Sequence, residues 1–172
     1  MKKLIPREER NEKLISCGIP EQFLSSIGNI DELDFMVEDP KGAYFYFPTM
    51  DYKIFSGFEV TPIFNCGEEF YALFEKNDIR KIVRFELEND EIYSDYGLNW
   101  NLLLMDILWR YFDLALEEDD SMSLFCSVGK RLGFLYSEKL YQCLNIPSDE
   151  ISIKLENKKK WKIEVAEKIK IL

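Results

Sequence analysis

The stretch Val60-Thr-Pro-Ile-Phe64, Asn65-Cys66-Gly67, Glu69-Phe-Tyr-Ala-Leu-Phe74, Lys76-Asn77-Asp78 and Ile79 to Leu87 decides the fold. Apolar runs of five to nine residues are cut by turn residues at close spacing, the rhythm of an antiparallel meander. The connections are too short for helical crossovers, so parallel βαβ units are not expected here. Both alternating faces of Phe70-Tyr-Ala-Leu-Phe74 are apolar, which places that strand centrally in the sheet. Pro62 cannot donate to a ladder, so its strand is expected at an edge or bulged there.

Working outward, the same texture reaches back to Asp31. Leu33-Met36, Ala43-Phe47 and Tyr52-Phe55 are further candidate strands, separated by Asp39-Pro40-Lys41-Gly42, Pro48-Thr49 and Ser56-Gly57. Before them, Pro6 with Glu8 and Glu9 suits a helix start, Gly18 ends that helix, and Phe23, Leu24 and Ile27 mark a second short one. On the other side, Asn99 to about Leu116 reads as a helix. Its narrow polar stripe (Asp106, Arg110, Asp113, Glu117) leaves the remaining faces apolar, so it is expected to be buried on more than one side and central, packed on the sheet. Asp106 and Arg110 stand at i, i+4 and read as a structural pair.

Residues 121–144 carry Phe125, Val128, Leu132, Tyr136 and Leu140 at helical pitch, and Gly129 with Gly133 predicts two helices or a bent one. Over 148–165 two alternating runs flank Asn157-Lys158-Lys159: Ile151, Ile153, Leu155, then Trp161, Ile163, Val165. That pattern predicts a C-terminal hairpin, with a helix carrying Trp161, Val165 and Ile169 on one face as the competing reading. The expected architecture is α+β: a single domain over 1–172 with a mainly antiparallel sheet of about five to six strands flanked by helices. A chain of 172 residues with 47% hydrophobic side chains can bury a core of that size.

Lys2 and Lys3 lead only into Leu4-Ile5 before Pro6, so no secretory signal is expected. The longest apolar segment is interrupted by Asp106, Arg110 and Asp113 well short of the ~20 residues a membrane span needs. Cys17, Cys66, Cys126 and Cys143 show neither a CxxC pair nor disulfide-framework spacing, and read as free thiols of a cytoplasmic protein. Histidine is absent, which removes the commonest general base and most zinc sites. Neither EF-hand spacing nor a Gly-rich phosphate loop is present, so no metal and no cofactor is expected. Adjacent carboxylates such as Glu68/Glu69 or Asp90/Glu91 point to opposite faces on a strand and are poorly placed for shared acid–base work. Cys66 is the one thiol worth testing, although its acidic neighbours would raise its pKa. The chain reads as non-enzymatic, with carboxylate, Tyr or Cys chemistry left open.

Charge is unevenly distributed. Residues 1–20 hold five basic and three acidic side chains, residues 21–120 hold 7 and 23, and residues 121–172 hold 10 and 6. The acidic middle would repel nucleic acid and anionic lipid and attract a basic partner. The basic run Lys158 to Lys162 reads as a solvated turn.

Leu14-Ile-Ser-Cys-Gly18-Ile19-Pro20 resembles the N-terminal entry of the SUKH superfamily. Pro62-Ile63-Phe64 followed by Gly67-Glu-Glu-Phe70-Tyr71-Ala-Leu73 is similar to that family's strand–turn–strand core. Ile82-Val83-Arg-Phe85 resembles its next strand, and Leu98-Asn99-Trp100-Asn101-Leu102-Leu103 the opening of its following helix. The likeness covers roughly residues 14 to 113. A hairpin glycine is missing at Ile79-Arg80-Lys81, Asn101 replaces a small hydroxyl residue, and a glycine pair after the first helices is absent. The resemblance implies an α+β domain without a catalytic centre. Most bacterial members are immunity proteins that neutralise a cognate polymorphic toxin, often a nuclease, and some fungal members regulate cell-wall assembly by protein contact. A basic protein partner, most naturally such a toxin, is therefore expected, with a scaffold or regulatory module as the alternative. The expected contact residues are Glu68, Glu69, Asp90, Glu91, Asp95, Glu117, Glu118, Asp119 and Asp120, with Tyr93 and Tyr96 as candidate aromatic anchors. Trp100 is assigned to the core.

Overall fold

The computed structural model describes residues 3–37, 52–86, 88–116 and 122–172, and the chain divides into two compact units, residues 1–100 and 101–172. In the first unit, β1 (Lys3–Leu4), β2 (Glu59–Cys66), β3 (Glu69–Lys76), β4 (Ile79–Glu86) and β5 (Glu91–Asp95) form one sheet in chain order. β2 to β5 are antiparallel, and the two-residue β1 adds in parallel beside β2. α1 (Arg10–Ser16), which lies against β2, and α2 (Glu21–Ser26) are the regular helices of this unit among the described residues. The fold is α+β, as expected.

The antiparallel part of the sheet has four strands, slightly fewer than the five to six expected. Asp31–Leu33 and Lys53–Phe55 are 3-10 turns rather than strands, and Ala43-Phe47 lies outside the described residues. The Lys53–Phe55 turn inserts Phe55 among Val60, Phe70, Phe74, Val83 and Phe85, which form one buried cluster. Phe55 meets Phe85 edge-on at 5.3 Å and Phe74 at 5.7 Å, geometries that favour the aromatic quadrupoles as well as burying area. Residues too few to alternate as a strand thus bury one ring deeply by coiling.

Pro62 does what its chemistry requires. The β2–β3 register shifts between Pro62 and Phe64, a bulge that inserts one residue into the ladder. The carbonyls exposed there are taken by Arg10, which is 5% exposed. Its Nε donates to the Pro62 carbonyl at 2.7 Å and its Nη2 donates to that of Ile63. One guanidinium fork thereby closes the bulge and fastens α1 to the sheet.

The second unit contains α3 (Trp100–Leu114, whose first residue belongs to the first unit), α4 (Met122–Leu132), α5 (Ser137–Leu144), α6 (Ser148–Leu155) and α7 (Lys158–Ile169). The 121–144 segment is two helices. Gly133, at φ 85°, ends α4, and the Phe134 N–H bonds back to the Gly129 carbonyl at 2.8 Å. A Cβ at Gly129 would lie 1.9 Å from Ser137 Oγ and 2.9 Å from its Cβ, so only glycine lets α4 and α5 approach this closely.

The expected hairpin over 148–165 is overturned: the segment is α6 and α7. The competing helical phase wins because it buries Trp161, Val165 and Ile169 together, whereas Ile163 of the alternating set is 46% exposed. Trp161 packs edge-on against Trp109 of α3 at 4.7 Å. Lys162 reaches buried Asp106, and Lys158 pairs with Asp113 at 2.8 Å, so two cations one helical turn apart on α7 meet the acidic stripe of α3. Asp106 is therefore a buried anchor for α7.

Arg10→Met should keep the side-chain bulk and strand the two bulge carbonyls, lowering stability by about 3 kcal/mol. Urea unfolding followed by circular dichroism measures this, and a loss under about 0.5 kcal/mol would show that the fork is dispensable.

Candidate functional site: the acidic end of the sheet

An antiparallel meander returns every second turn to the same end. The β2–β3 turn, with Gly67 at φ 56° and exposed Glu68, therefore lies at the same end of the sheet as the β4–β5 turn, with exposed Glu88 and Asn89. Register then aligns carboxylates across strands. Glu69 of β3 is opposite Glu86 of β4, and Glu86 is opposite Glu91 of β5. Directly paired residues share a face and neighbouring strands lie roughly 4.8 Å apart, so the three acids form a transverse row about 10 Å long. Glu68 and Glu88 extend it at the turns.

Arg84 stands two residues before Glu86, on the same face. Its Nε lies 2.5 Å from Glu69 Oε1, and its guanidinium is 6.0 Å from the ring centre of Tyr93. Glu69 also accepts from the Tyr71 hydroxyl at 3.1 Å. Glu69 is thus committed to partners inside the sheet, while Glu68, Glu88 and Glu91 are exposed.

The other expected contact residues separate by role. Asp90, in the left-handed region at φ 50°, accepts from the backbone N–H of Lys53 at 2.8 Å and of Ile54 at 3.2 Å. It caps the 3-10 turn that carries Phe55, so its work is structural. Tyr93 is 42% exposed, and its hydroxyl accepts from Asn89 Nδ2 at 2.7 Å. Tyr96 is 8% exposed and its backbone N–H extends the ladder to the Ile82 carbonyl at 2.9 Å; its ring belongs to the core. Trp100 packs edge-on against Phe23 at 4.3 Å. Glu117, Glu118, Asp119 and Asp120 lie outside the described residues.

Asp95, read from sequence as a loop residue, ends β5 and pairs opposite Val83, well along the sheet from the Glu69–Glu86–Glu91 row. It takes Lys81 at 2.9 Å and the Gly97 N–H at 3.0 Å. Burial pushes its carboxyl up, but those two donors outweigh burial and hold it below the ordinary carboxylate value.

The opposite end of the sheet is balanced. Glu59 and Glu75 both meet Lys13, at 3.0 and 2.7 Å, and Glu75 also meets Arg80 at 3.1 Å. The Glu75 hydrogen bond is the main cause that raises the Lys13 pKa. The net negative field is therefore concentrated at the turn end carrying Glu68, Glu86, Glu88 and Glu91.

All four cysteines are free thiols. Cys66 Sγ lies 3.8 Å from the Phe35 carbonyl, and the Cys126 thiol is pushed up by burial and by Glu138. Among the described residues no group of three or more Cys, Asp or Glu is placed to hold a metal ion, and no helix is long and apolar enough to cross a membrane.

Sequence reasoning missed Glu86, Glu88 and Arg84 as members of this site. The two-residue turn Asn77-Asp78 carries the needed signal: closing it pairs Lys76 with Ile79, and counting outward sets Glu69 opposite Glu86. Comparison of the chain with protein-family models, with curated proteins and with solved structures finds no match.

Asp90→Ala should cost about 1–2 kcal/mol, because it strands two N–H groups of the 3-10 turn, whereas Glu68→Gln should leave stability within about 0.5 kcal/mol. Paired thermal melts separate the two. Because Asp95 titrates lower folded than unfolded, its contribution is complete above about pH 4 and is lost as pH falls through the folded value. Asp95→Asn should flatten that acid limb in unfolding curves taken from pH 6 to pH 2, and an unchanged limb would show that the carboxylate's pairing is not linked to folding.

Proposed function

We propose that this chain is a non-enzymatic binding protein that docks a basic protein partner through the acidic end of its sheet, working in the cytoplasm. The observation that carries this is the transverse row Glu69–Glu86–Glu91, flanked by exposed Glu68 and Glu88, at one end of an otherwise charge-balanced sheet. Such a field speeds encounter with a cationic surface and repels phosphate and anionic lipid. Tyr93, exposed beside the row, supplies the aromatic contact that such interfaces favour.

The SUKH-like features of residues 14–113 support a sharper form of this reading. In it the partner is a cognate toxin whose catalytic cleft is basic because it must hold phosphates, as in a nuclease. Carboxylates at a rigid sheet end would occupy that cleft in place of nucleic acid.

The test is a fourfold variant, Glu68→Gln, Glu86→Gln, Glu88→Gln and Glu91→Gln, which spares Glu69, Asp90 and Asp95 because they serve the fold. Tagged wild-type chain should retain a basic protein at low salt and release it at high salt, and that protein should be toxic when expressed without it. The variant should melt within a few degrees of wild type and bind at least tenfold more weakly. Equal binding by the variant would remove the acidic end from the interface; retention only of proteins harmless on their own would favour a scaffold over an immunity protein.

A further inference from the structure

The two edges of the sheet are treated differently. At the β2 edge, β1 pairs with Glu59 and Val60, and the Ile5 N–H bonds to the Val60 carbonyl at 3.0 Å. Beyond it Pro62 has no N–H to offer, and Arg10 takes the carbonyls of Pro62 and Ile63. Backbone pairing, a proline and a buried guanidinium therefore close this edge.

β5 is the last strand at the other edge, and among the described residues no further strand pairs with it. Its side chains alternate exposed and half-buried, with Glu91, Tyr93 and Asp95 exposed. An edge guarded by charge is not closed to every strand. It rejects a second β5, which would set Glu91 and Asp95 against their own copies. It admits a strand whose side chains are cationic, where the same pairing rule changes sign.

We infer that β5 is the docking edge for an extended, basic segment of a protein partner, which adds as a sixth strand, its backbone pairing with β5 and its Lys or Arg side chains meeting Glu91 and the adjoining acidic turn. This rests on the acidic-end reading above and gives it a binding mode: the main chain supplies affinity, and the carboxylates choose the charge. Tyr93 offers a ring to the alternate side chains of the incoming strand.

Two synthetic peptides of equal charge test it: (Lys-Val)4, which can form a strand, and (Lys-Pro)4, which lacks half of the backbone donors. Binding is followed by fluorescence anisotropy, and exchange of the β5 amides by NMR. In the free protein, β5 amides on the outer side should exchange rapidly. Adding (Lys-Val)4 should slow them at least tenfold, (Lys-Pro)4 should bind at least tenfold more weakly, and Glu91→Lys should weaken (Lys-Val)4 without moving the melting temperature. Outer amides already protected in the free chain, or a β5-mediated dimer by sedimentation, would overturn the inference. So would failure of both peptides to bind. Equal binding of the two peptides with unchanged exchange would overturn strand addition while leaving the acidic end as a charge-driven surface. The salt-dependent capture decides that broader reading separately.

Discussion

The first unit depends on how β2 accommodates Pro62. A proline beside a central strand removes a donor and strains the ladder, and the chain absorbs this with a bulge whose freed carbonyls Arg10 takes up. That single guanidinium joins residues 52 and 53 positions apart and sets α1 against β2. With the β2 edge closed, the meander can only grow away from it, strand by strand, until it ends at β5. The position of the acidic turns follows from that direction of growth.

Charge is sorted along the strands as well as along the chain. At one end, acids are matched residue by residue with Lys13 and Arg80. At the other, one arginine serves Glu69, and Glu68, Glu88 and Glu91 are exposed. Exposed ion pairs contribute little to stability, so the unmatched end costs the fold little and leaves a field available for a partner. Asp90 sits at that end yet serves the fold, since its oxygens hold the turn that delivers Phe55.

In the second unit a similar economy of polar contacts fixes helix register. Asp106 is buried on α3 and is matched by Lys162, whose ammonium also lies 5.7 Å from the Trp109 ring centre. Losing the Lys162 ammonium would cost the buried carboxylate a favourable charge, a larger penalty than the pair's own net worth. The tryptophan pair Trp109–Trp161 supplies the apolar part of the same contact.

The amino-acid sequence by itself determined the elements whose signal is local. The meander of β2, β3 and β4, the stop at Gly18, the break at Gly133 and the disturbance at Pro62 are all legible because apolar period and turn chemistry act within a few residues. The tertiary structure alone decided the rest. Glu91–Asp95 has too few apolar residues to declare a strand, and pairing with β4 makes it one. Trp161, Ile163 and Val165 alternate as a strand would, but burying Trp161 on Trp109 and Lys162 on Asp106 favours the helix. Glu86 and Arg84 read as ordinary strand residues until cross-strand register sets them beside Glu69. These outcomes depend on partners tens of residues away, and long-range burial and charge pairing outweigh a local preference worth a fraction of a kcal/mol per residue.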